Sequence, residues 1–147
     1  MKIALGTDHR GFVLKELLKK HTNIASREIE WVDLGAHDAI RSDYPIFVDK
    51  VCEAMSSKSA DYGILLCGSG VGMSIAANRY SGIYAALVWN QEVARMCKEE
   101  DNANVLVLPA DFISEVQMLA LVAAWLSATF KGGRYQERLA MIDTRHD

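Results

Sequence analysis

A cysteine stands directly before a glycine-rich loop in LLCGSGVGMS, residues 65–74. The apolar run that ends at Cys67 is typical of a buried strand, and Gly68, Gly70 and Gly72 follow at alternate positions. Such glycines leave backbone N–H groups uncovered where a helix begins, and a helix N-terminus stabilises negative charge. We therefore expect a lowered pKa and a thiolate at Cys67, although a cysteine taken alone is more often a small apolar core residue.

Several familiar uses of a glycine loop do not fit this spacing. A nucleotide P-loop needs Gly-Lys followed by Ser or Thr, and a dinucleotide fingerprint needs GxGxxG after the first strand. A cysteine phosphatase would need arginine where Met73 stands. What remains is a base beside an anion hole, which suits removal of a proton next to a carbonyl. Cys67 would take the proton while loop amides and Ser69 hold the enolate oxygen, which predicts aldose–ketose isomerisation.

A candidate phosphate site lies near the other end of the chain, in GGRYQERL, residues 132–139. Arg134 and Arg138 are four residues apart, which on a helix places them on one face about 6 Å apart at Cβ. Two guanidinium groups so placed can grip one phosphate, and His9 could add a third donor. The alternative is a solvated basic face that pairs with Glu137.

The elements that position these residues alternate between apolar, β-branched runs and longer amphipathic runs, as in the βαβ units of a parallel sheet. Because ligands bind beyond the carboxyl ends of parallel strands, Asp8 and His9 after the first strand should share one edge with Cys67. The predicted strands are Ile3–Thr7, Ile29–Leu34, Tyr62–Cys67, Ile83–Trp89 and Asn104–Leu108, and the predicted helices are Phe12–Lys20, Ile46–Ser56, Gly72–Tyr80, Gln91–Glu99, Ser114–Thr129 and Tyr135–Ile142.

Length and composition favour a single cytoplasmic domain over residues 1–147. Half of the residues are apolar, and the net charge of −3 gives no general attraction for nucleic acid or anionic membranes. No apolar run reaches the roughly 18 residues of a membrane span. The three cysteines cannot all pair, and the four histidines, His9, His21, His37 and His146, show no metal-ligand spacing. We expect reduced thiols and neither metal nor cofactor.

Five motifs together resemble one known family. They are TDHRGF (7–12), SDYP (42–45), LLCGSGVGMSIAANR (65–79), DNANVL (101–106) and KGGRYQERL (131–139). They are similar to the type B ribose-5-phosphate isomerases of the pentose phosphate pathway and to their allose- and galactose-6-phosphate relatives. The resemblance implies an α/β fold, a three-layer α/β/α sandwich with a Rossmann-like five-stranded parallel sheet. It also implies a homodimer or dimer of dimers whose metal-free active sites lie at the subunit interface.

The resemblance also assigns roles to residues. Cys67 would be the base that moves a proton between C1 and C2 of the open-chain sugar phosphate, and Ser69 would assist in the anion hole. Asp8 would contact the sugar, His9 the phosphate, and Arg134 with Arg138 would clamp the phosphate. The full expected substrate-binding set is Asp8, His9, Tyr44, Gly68, Ser69, Gly70, Val71, Gly72, Asp101, Arg134 and Arg138.

Some positions depart from the family pattern. Many relatives carry His-Asn-Asp where this chain has Glu100, Asp101 and Asn102, and that histidine helps to open the sugar ring. Either Glu100 replaces it, if buried, or Asp8 does, and we favour Asp8. Asp111 stands where relatives often have arginine, and Tyr135 where many have histidine. The alternatives are an isomerase of another sugar phosphate, such as allose 6-phosphate, and a noncatalytic sugar-phosphate sensor.

Overall fold

The computed structural model describes residues 1–144, so His146 lies outside the described part of the chain. The strands are β1 (Lys2–Thr7), β2 (Asn23–Ile24), β3 (Arg27–Glu28), β4 (Glu30–Asp33), β5 (Tyr62–Cys67), β6 (Ala85–Leu87) and β7 (Val105–Pro109). The helices are α1 (Phe12–Leu18), α2 (Tyr44–Ser56), α3 (Val71–Ala77), α4 (Gln91–Asp101), α5 (Glu115–Ser127) and α6 (Arg134–Asp143).

Five strands form one sheet in the order β4-β1-β5-β7-β6, and every neighbouring pair is parallel. The chain passes from β1 to β4 on one side and then returns to β5 on the other side of β1. The strand order therefore switches between β1 and β5, which is where an open α/β sheet has room for a ligand beyond its carboxyl edge. This arrangement confirms the predicted five-stranded parallel sheet.

Alternate side chains of the central strands enter two separate cores, because successive residues of a strand face opposite sides of the sheet. Ile64 and Leu66 of β5 belong to the core that also contains residues of α1, α4 and α5. Leu65 and Cys67 belong to the core packed against α2 and α3. The two cores make the three-layer sandwich, and the alternation turns the Cys67 side chain toward the layer of α2 and α3.

The structure differs from the sequence predictions at several boundaries. A short antiparallel hairpin, β2–β3, was not predicted, since its turn residues Ala25 and Ser26 adopt positive φ angles of 53° and 59° without the usual Asn-Gly signal. Helix α4 continues to Asp101 and ends where Asn102 turns left-handed at φ 48°. Among residues 1–144, the structure contains no helix of the length and apolar character that a membrane span requires.

Candidate active site

The carboxyl ends of β1 and β5 bring the predicted site residues Asp8, His9 and Cys67 to one edge of the sheet. Thr7, the last residue of β1, is in register with Leu66, and the backbone N–H of Asp8 continues the pairing to the Leu66 carbonyl at 3.4 Å. Cys67 ends β5. The expected juxtaposition of the first strand's loop with the cysteine is therefore present within one chain.

The loop after Cys67 is shaped by its glycines. Gly70 has a φ of 77°, a conformation that L residues with a side chain rarely adopt, and it precedes the first residue of α3. A Cβ at Gly72 would stand 2.6 Å from Cζ of Tyr44, so the Tyr44 ring lies directly on this part of the loop. Ser69 is exposed, and its Oγ accepts a hydrogen bond of 3.3 Å from the Val71 N–H. The Ser69 hydroxyl keeps its own proton to donate.

The ionisation expected for Cys67 is wrong for the single chain. Burial raises the pKa of this thiol above its ordinary value, and the negative charge of Asp8 raises it further. Backbone N–H groups of Met73, Gly70 and Ser69 act in the opposite direction, but they do not outweigh burial. The loop N–H groups do favour the thiolate as predicted, but Cys67 is only 5% exposed, and desolvation of the charged form is the larger effect on its pKa.

Asp8 and His9 are held by hydrogen bonds of the loop after β1. Asp8 is buried, and its Oδ1 accepts a bond of 2.9 Å from the Arg10 N–H. The backbone N–H of His9 donates to Ser42 Oγ at 3.1 Å, and the Ser42 N–H donates to His9 Nδ1 at 3.2 Å. The carboxylate of Asp8 is thus fixed close enough to act on Cys67, and the His9 ring is tied to the segment that leads into α2.

Two further residues at this edge were not predicted as site residues. The side chain of Arg10 lies over Gly68 and is ion-paired with Asp111, which follows β7. Arg10 belongs to the TDHRGF motif, so its proximity to Asp8 and His9 was the signal that could have identified it. The pairing with Asp111 joins residues 101 positions apart and has no local signal.

The remaining predicted residues, Glu100, Asp101, Arg134 and Arg138, form a separate group that we term the α4–α6 corner. Glu100 lies 3.9 Å from Lys131 Nζ. Burial raises the pKa of Asp101, and the charge of Glu100 raises it further, whereas Arg138 lowers it. The guanidinium carbons of Arg134 and Arg138 lie 5.1 and 5.6 Å from the centre of the Tyr135 ring. Both arginines lie on helix α6, as predicted, and the ring of Tyr135 lies beside both guanidinium groups.

The α4–α6 corner lies at the amino ends of the parallel strands, whereas Cys67 lies at their carboxyl ends. Helix α4 begins after β6, runs back against the strands, and ends at Asp101, just before β7 starts at Val105. The five residues of β7 span about 17 Å at the usual rise of a strand. Within one chain, the structure does not bring Arg134, Arg138, Glu100 or Asp101 to the cysteine.

The carboxyl ends of the strands offer a thiol whose pKa is lowered by three loop N–H groups and raised by burial, together with a buried carboxylate and an imidazole. Those groups can exchange a proton with a carbon acid and stabilise an oxyanion. Within residues 1–144 there is no group of three or more His, Cys, Asp or Glu side chains placed to hold a metal ion.

Comparisons with known proteins agree with this geometry. The Ribose/Galactose Isomerase family model matches residues 3–142. Ribose-5-phosphate isomerase B of Escherichia coli is 38% identical over 141 residues, which cover 96% of this chain and 93% of that protein.

The chain is also similar to solved structures, both in fold and in sequence. A ribose 5-phosphate isomerase from Thermotoga maritima has a TM-score of 0.92 and 44% identity, with 97% of each chain covered. Ribose-5-phosphate isomerase B from Mycoplasma genitalium with bound ribulose-5-phosphate has a TM-score of 0.90 and 36% identity, and covers 98% of this chain and 95% of its own. Family model, sequence identity and fold all cover nearly the full chain, and the chain belongs to the ribose/galactose isomerase family.

Proposed function

We propose that the protein interconverts ribose 5-phosphate and ribulose 5-phosphate through an enediolate, with Cys67 as the base. The observation that carries this proposal is the convergence of the Met73, Gly70 and Ser69 N–H groups on a cysteine at the strand-switch edge of the sheet. The similarity to isomerases of this substrate pair, over nearly the full chain, supports the choice of substrate. A relative with ribulose-5-phosphate bound supports it further.

The proposed proton transfer starts from the open-chain aldose. The Cys67 thiolate removes the proton from C2, and the electrons of that bond form the C1–C2 double bond while O1 becomes an oxyanion. Loop N–H groups and the Ser69 hydroxyl stabilise this charge. The thiol then returns its proton to C1 while the O2 proton passes to O1, which leaves the ketose. No net oxidation or reduction accompanies the exchange.

Ring opening precedes that transfer, and we assign it to Asp8. A proton must leave the anomeric hydroxyl and reach the ring oxygen, and a carboxylate can accept it and return it. Asp8 lies close enough to Cys67 for its charge to act on the thiol. Glu100 lies on the last turn of α4 at the other edge, so it could take part only from another copy of the chain.

We also propose that the enzyme is a homodimer, alone or as a dimer of dimers, with each active site built by two chains. Cys67 and the Arg134–Arg138 pair lie at opposite edges of one sheet, so a second copy has to supply the phosphate clamp. Val71 and Ile75, one turn apart on α3, are 49% and 58% exposed beside the candidate site, which leaves apolar surface for a partner. Arginines from that partner would also favour the thiolate of Cys67.

We further propose a single isomerase domain over residues 1–147 that acts in the cytoplasm. Cys52, Cys67 and Cys97 are free and buried, which suits a reducing compartment.

The decisive experiment measures turnover of ribose 5-phosphate, ribulose 5-phosphate and allose 6-phosphate by the wild type, Cys67→Ala and Cys97→Ala. Loss of the base should lower kcat by roughly 10²- to 10⁴-fold. The control variant Cys97→Ala removes a similarly buried thiol away from the site, and its kcat should stay close to that of the wild type. Turnover in D₂O should place deuterium on the reacting carbons. A wild type inactive on ribose 5-phosphate would refute the proposed substrate, and an active Cys67→Ala would refute the base.

A further inference from the structure

The guanidinium group of Arg10 is held at the rim of the Gly68–Gly72 loop. A Cβ at position 68 would stand 2.7 Å from Cζ and from Nε of Arg10, so the side chain occupies the space that Gly68 leaves open. Nη2 of Arg10 is ion-paired with Oδ2 of Asp111. The Asp111 N–H in turn donates to the Gly68 carbonyl at 3.0 Å, so the carboxylate belongs to the same local structure as the loop.

Arg10 also shares a turn with two proposed substrate contacts. Its backbone N–H donates to Asp8 Oδ1 at 2.9 Å, and it directly follows His9. The Arg10 side chain is 56% exposed, and among residues 1–144 Asp111 is its one ion-pair partner. A guanidinium has five N–H donors, so several remain available to an incoming anion.

We propose that Arg10 is a substrate-binding residue that contacts the phosphate of the sugar phosphate, and that Asp111 is its positioning residue. This inference rests on the proposed isomerase function. The loop N–H groups already converge on Cys67 and serve the reacting carbons. A doubly charged phosphate is the group of the substrate that a planar, forked guanidinium binds best.

The pairing also accounts for an acidic residue beside an anion site. An unpaired carboxylate would repel a doubly charged phosphate by about 2 kcal/mol even at 16 Å, for an effective dielectric constant of about 20. Because Asp111 is ion-paired with Arg10, its negative charge is offset by the guanidinium. The same ion pair holds the guanidinium in place for the phosphate.

The test compares Arg10→Ala with Arg27→Ala, which removes the same charge from an exposed position in the β2–β3 hairpin. For Arg10→Ala we expect KM for ribose 5-phosphate to rise at least about tenfold, with kcat nearly unchanged, because a charge-assisted contact is lost from ground state and transition state alike. The inhibition constant of inorganic phosphate should rise in parallel. Arg27→Ala should change neither constant.

Two results would overturn the assignment. One is an unchanged KM and phosphate inhibition in Arg10→Ala; the other is a fall in kcat with unchanged phosphate inhibition, which would place Arg10 at the reacting carbons. If Arg10→Ala does not fold, Arg10→Lys keeps the charge but loses the fork of N–H donors; a KM above that of the wild type would support the assignment, and an unchanged KM would overturn it. If the wild type does not turn over ribose 5-phosphate, calorimetric titration with inorganic phosphate still compares Arg10→Ala with Arg27→Ala. Weaker binding to Arg10→Ala alone would support the assignment, and equal binding to both variants would overturn it.

The positioning role of Asp111 is tested by a double-mutant cycle. In the wild type, Asp111→Ala frees the guanidinium and should raise KM. In Arg10→Ala, the same change should leave KM unchanged or lower it, since only a repulsive charge is removed. Equal effects in both backgrounds would show that Asp111 acts independently of Arg10 and would refute the positioning role.

Discussion

The backbone N–H of Ser42 donates a hydrogen bond of 3.2 Å to Nδ1 of His9. A backbone N–H can only donate, so Nδ1 is an acceptor and the ring proton of the neutral imidazole lies on Nε2. The reciprocal bond from the His9 N–H to Ser42 Oγ, 3.1 Å, closes the pair. His9 therefore presents a fixed N–H donor at the carboxyl edge of the sheet.

This tautomer predicts different effects for two substitutions of His9. Asparagine can keep the acceptor that faces Ser42 but has no group at the Nε2 position, whereas the amide of glutamine reaches that position. Loss of a hydrogen bond to a charged phosphate should lower kcat/KM roughly tenfold or more in His9→Asn. His9→Gln should retain more activity. Steady-state kinetics measure both variants, and a better His9→Asn would contradict the assigned tautomer.

Within one chain, the environment of Cys67 predicts slow alkylation at neutral pH, and the test protein also carries Arg134→Ala and Arg138→Ala so that the arginines proposed to come from the partner do not act on the thiol. Because burial raises the pKa of this thiol, its thiolate fraction should grow only as the pH rises beyond the usual thiol range. The rate of iodoacetamide modification is measured against pH in a Cys52→Ala, Cys97→Ala background, where Cys67 alone can react. Adding Asp8→Asn removes a charge that raises the pKa, so it should speed alkylation at a given pH. A rate midpoint below that of a free cysteine would contradict this reading.

The proposed interface site predicts complementation between two impaired variants, measured with ribose 5-phosphate well below the wild-type KM, where loss of a phosphate contact lowers the rate. In the proposed dimer, each site combines Cys67 of one chain with Arg138 of the other. A mixed dimer of Cys67→Ala and Arg138→Ala therefore has one site in which both residues are intact. Equal mixing with free exchange should recover about a quarter of wild-type activity, because half of the dimers are mixed and each has one intact site. Activity is measured before and after subunit exchange, and light scattering reports the assembly. A mixture that never exceeds its separate components, despite exchange, would rule out a shared site.

The ion pair between buried Lys15 and partly buried Asp33 predicts how stability changes in acid. Lys15 is 0% exposed and donates to both Asp33 oxygens at 2.9 Å and to the Gly35 carbonyl at 3.0 Å. Burial opposes the charged form of Asp33, but hydrogen bonds from Lys19 and Lys15 hold its pKa below the ordinary value. A lowered carboxyl pKa contributes stability above its unfolded value, and this contribution is lost as pH falls through the folded value, so the loss lies below about pH 4.

Denaturant unfolding checks that pair. Lys15→Met should lower the free energy of unfolding by about 2 kcal/mol, since the partly buried Asp33 carboxylate loses one of its two lysine partners. Lys20→Met, at an exposed position just after α1, is the matched control. In Asp33→Asn the free energy of unfolding should depend less on pH in the acid range. An unchanged pH profile would show that ionisation of Asp33 does not contribute to stability.

The fold was largely predictable because its signals are local. The apolar runs of β1, β5 and β7 alternate between two cores, and that period is visible in the residues themselves. The β2–β3 hairpin was missed because Ala25 and Ser26 take positive φ angles that their residue types do not indicate. Helix α4 was predicted two residues too short, and Glu100 and Asp101 lie on its last turn.

By itself the sequence determined the parallel sheet, the placement of Asp8, His9 and Cys67 at one edge, and the N–H groups exposed after Cys67, because strand period and glycine spacing act over a few residues. Only the tertiary structure decided that burial outweighs those N–H groups at the thiol. It alone also joined Arg10 to Asp111 and placed Arg134 and Arg138 at the far edge. Burial, ion pairing and separation across a sheet all depend on residues that are distant along the chain.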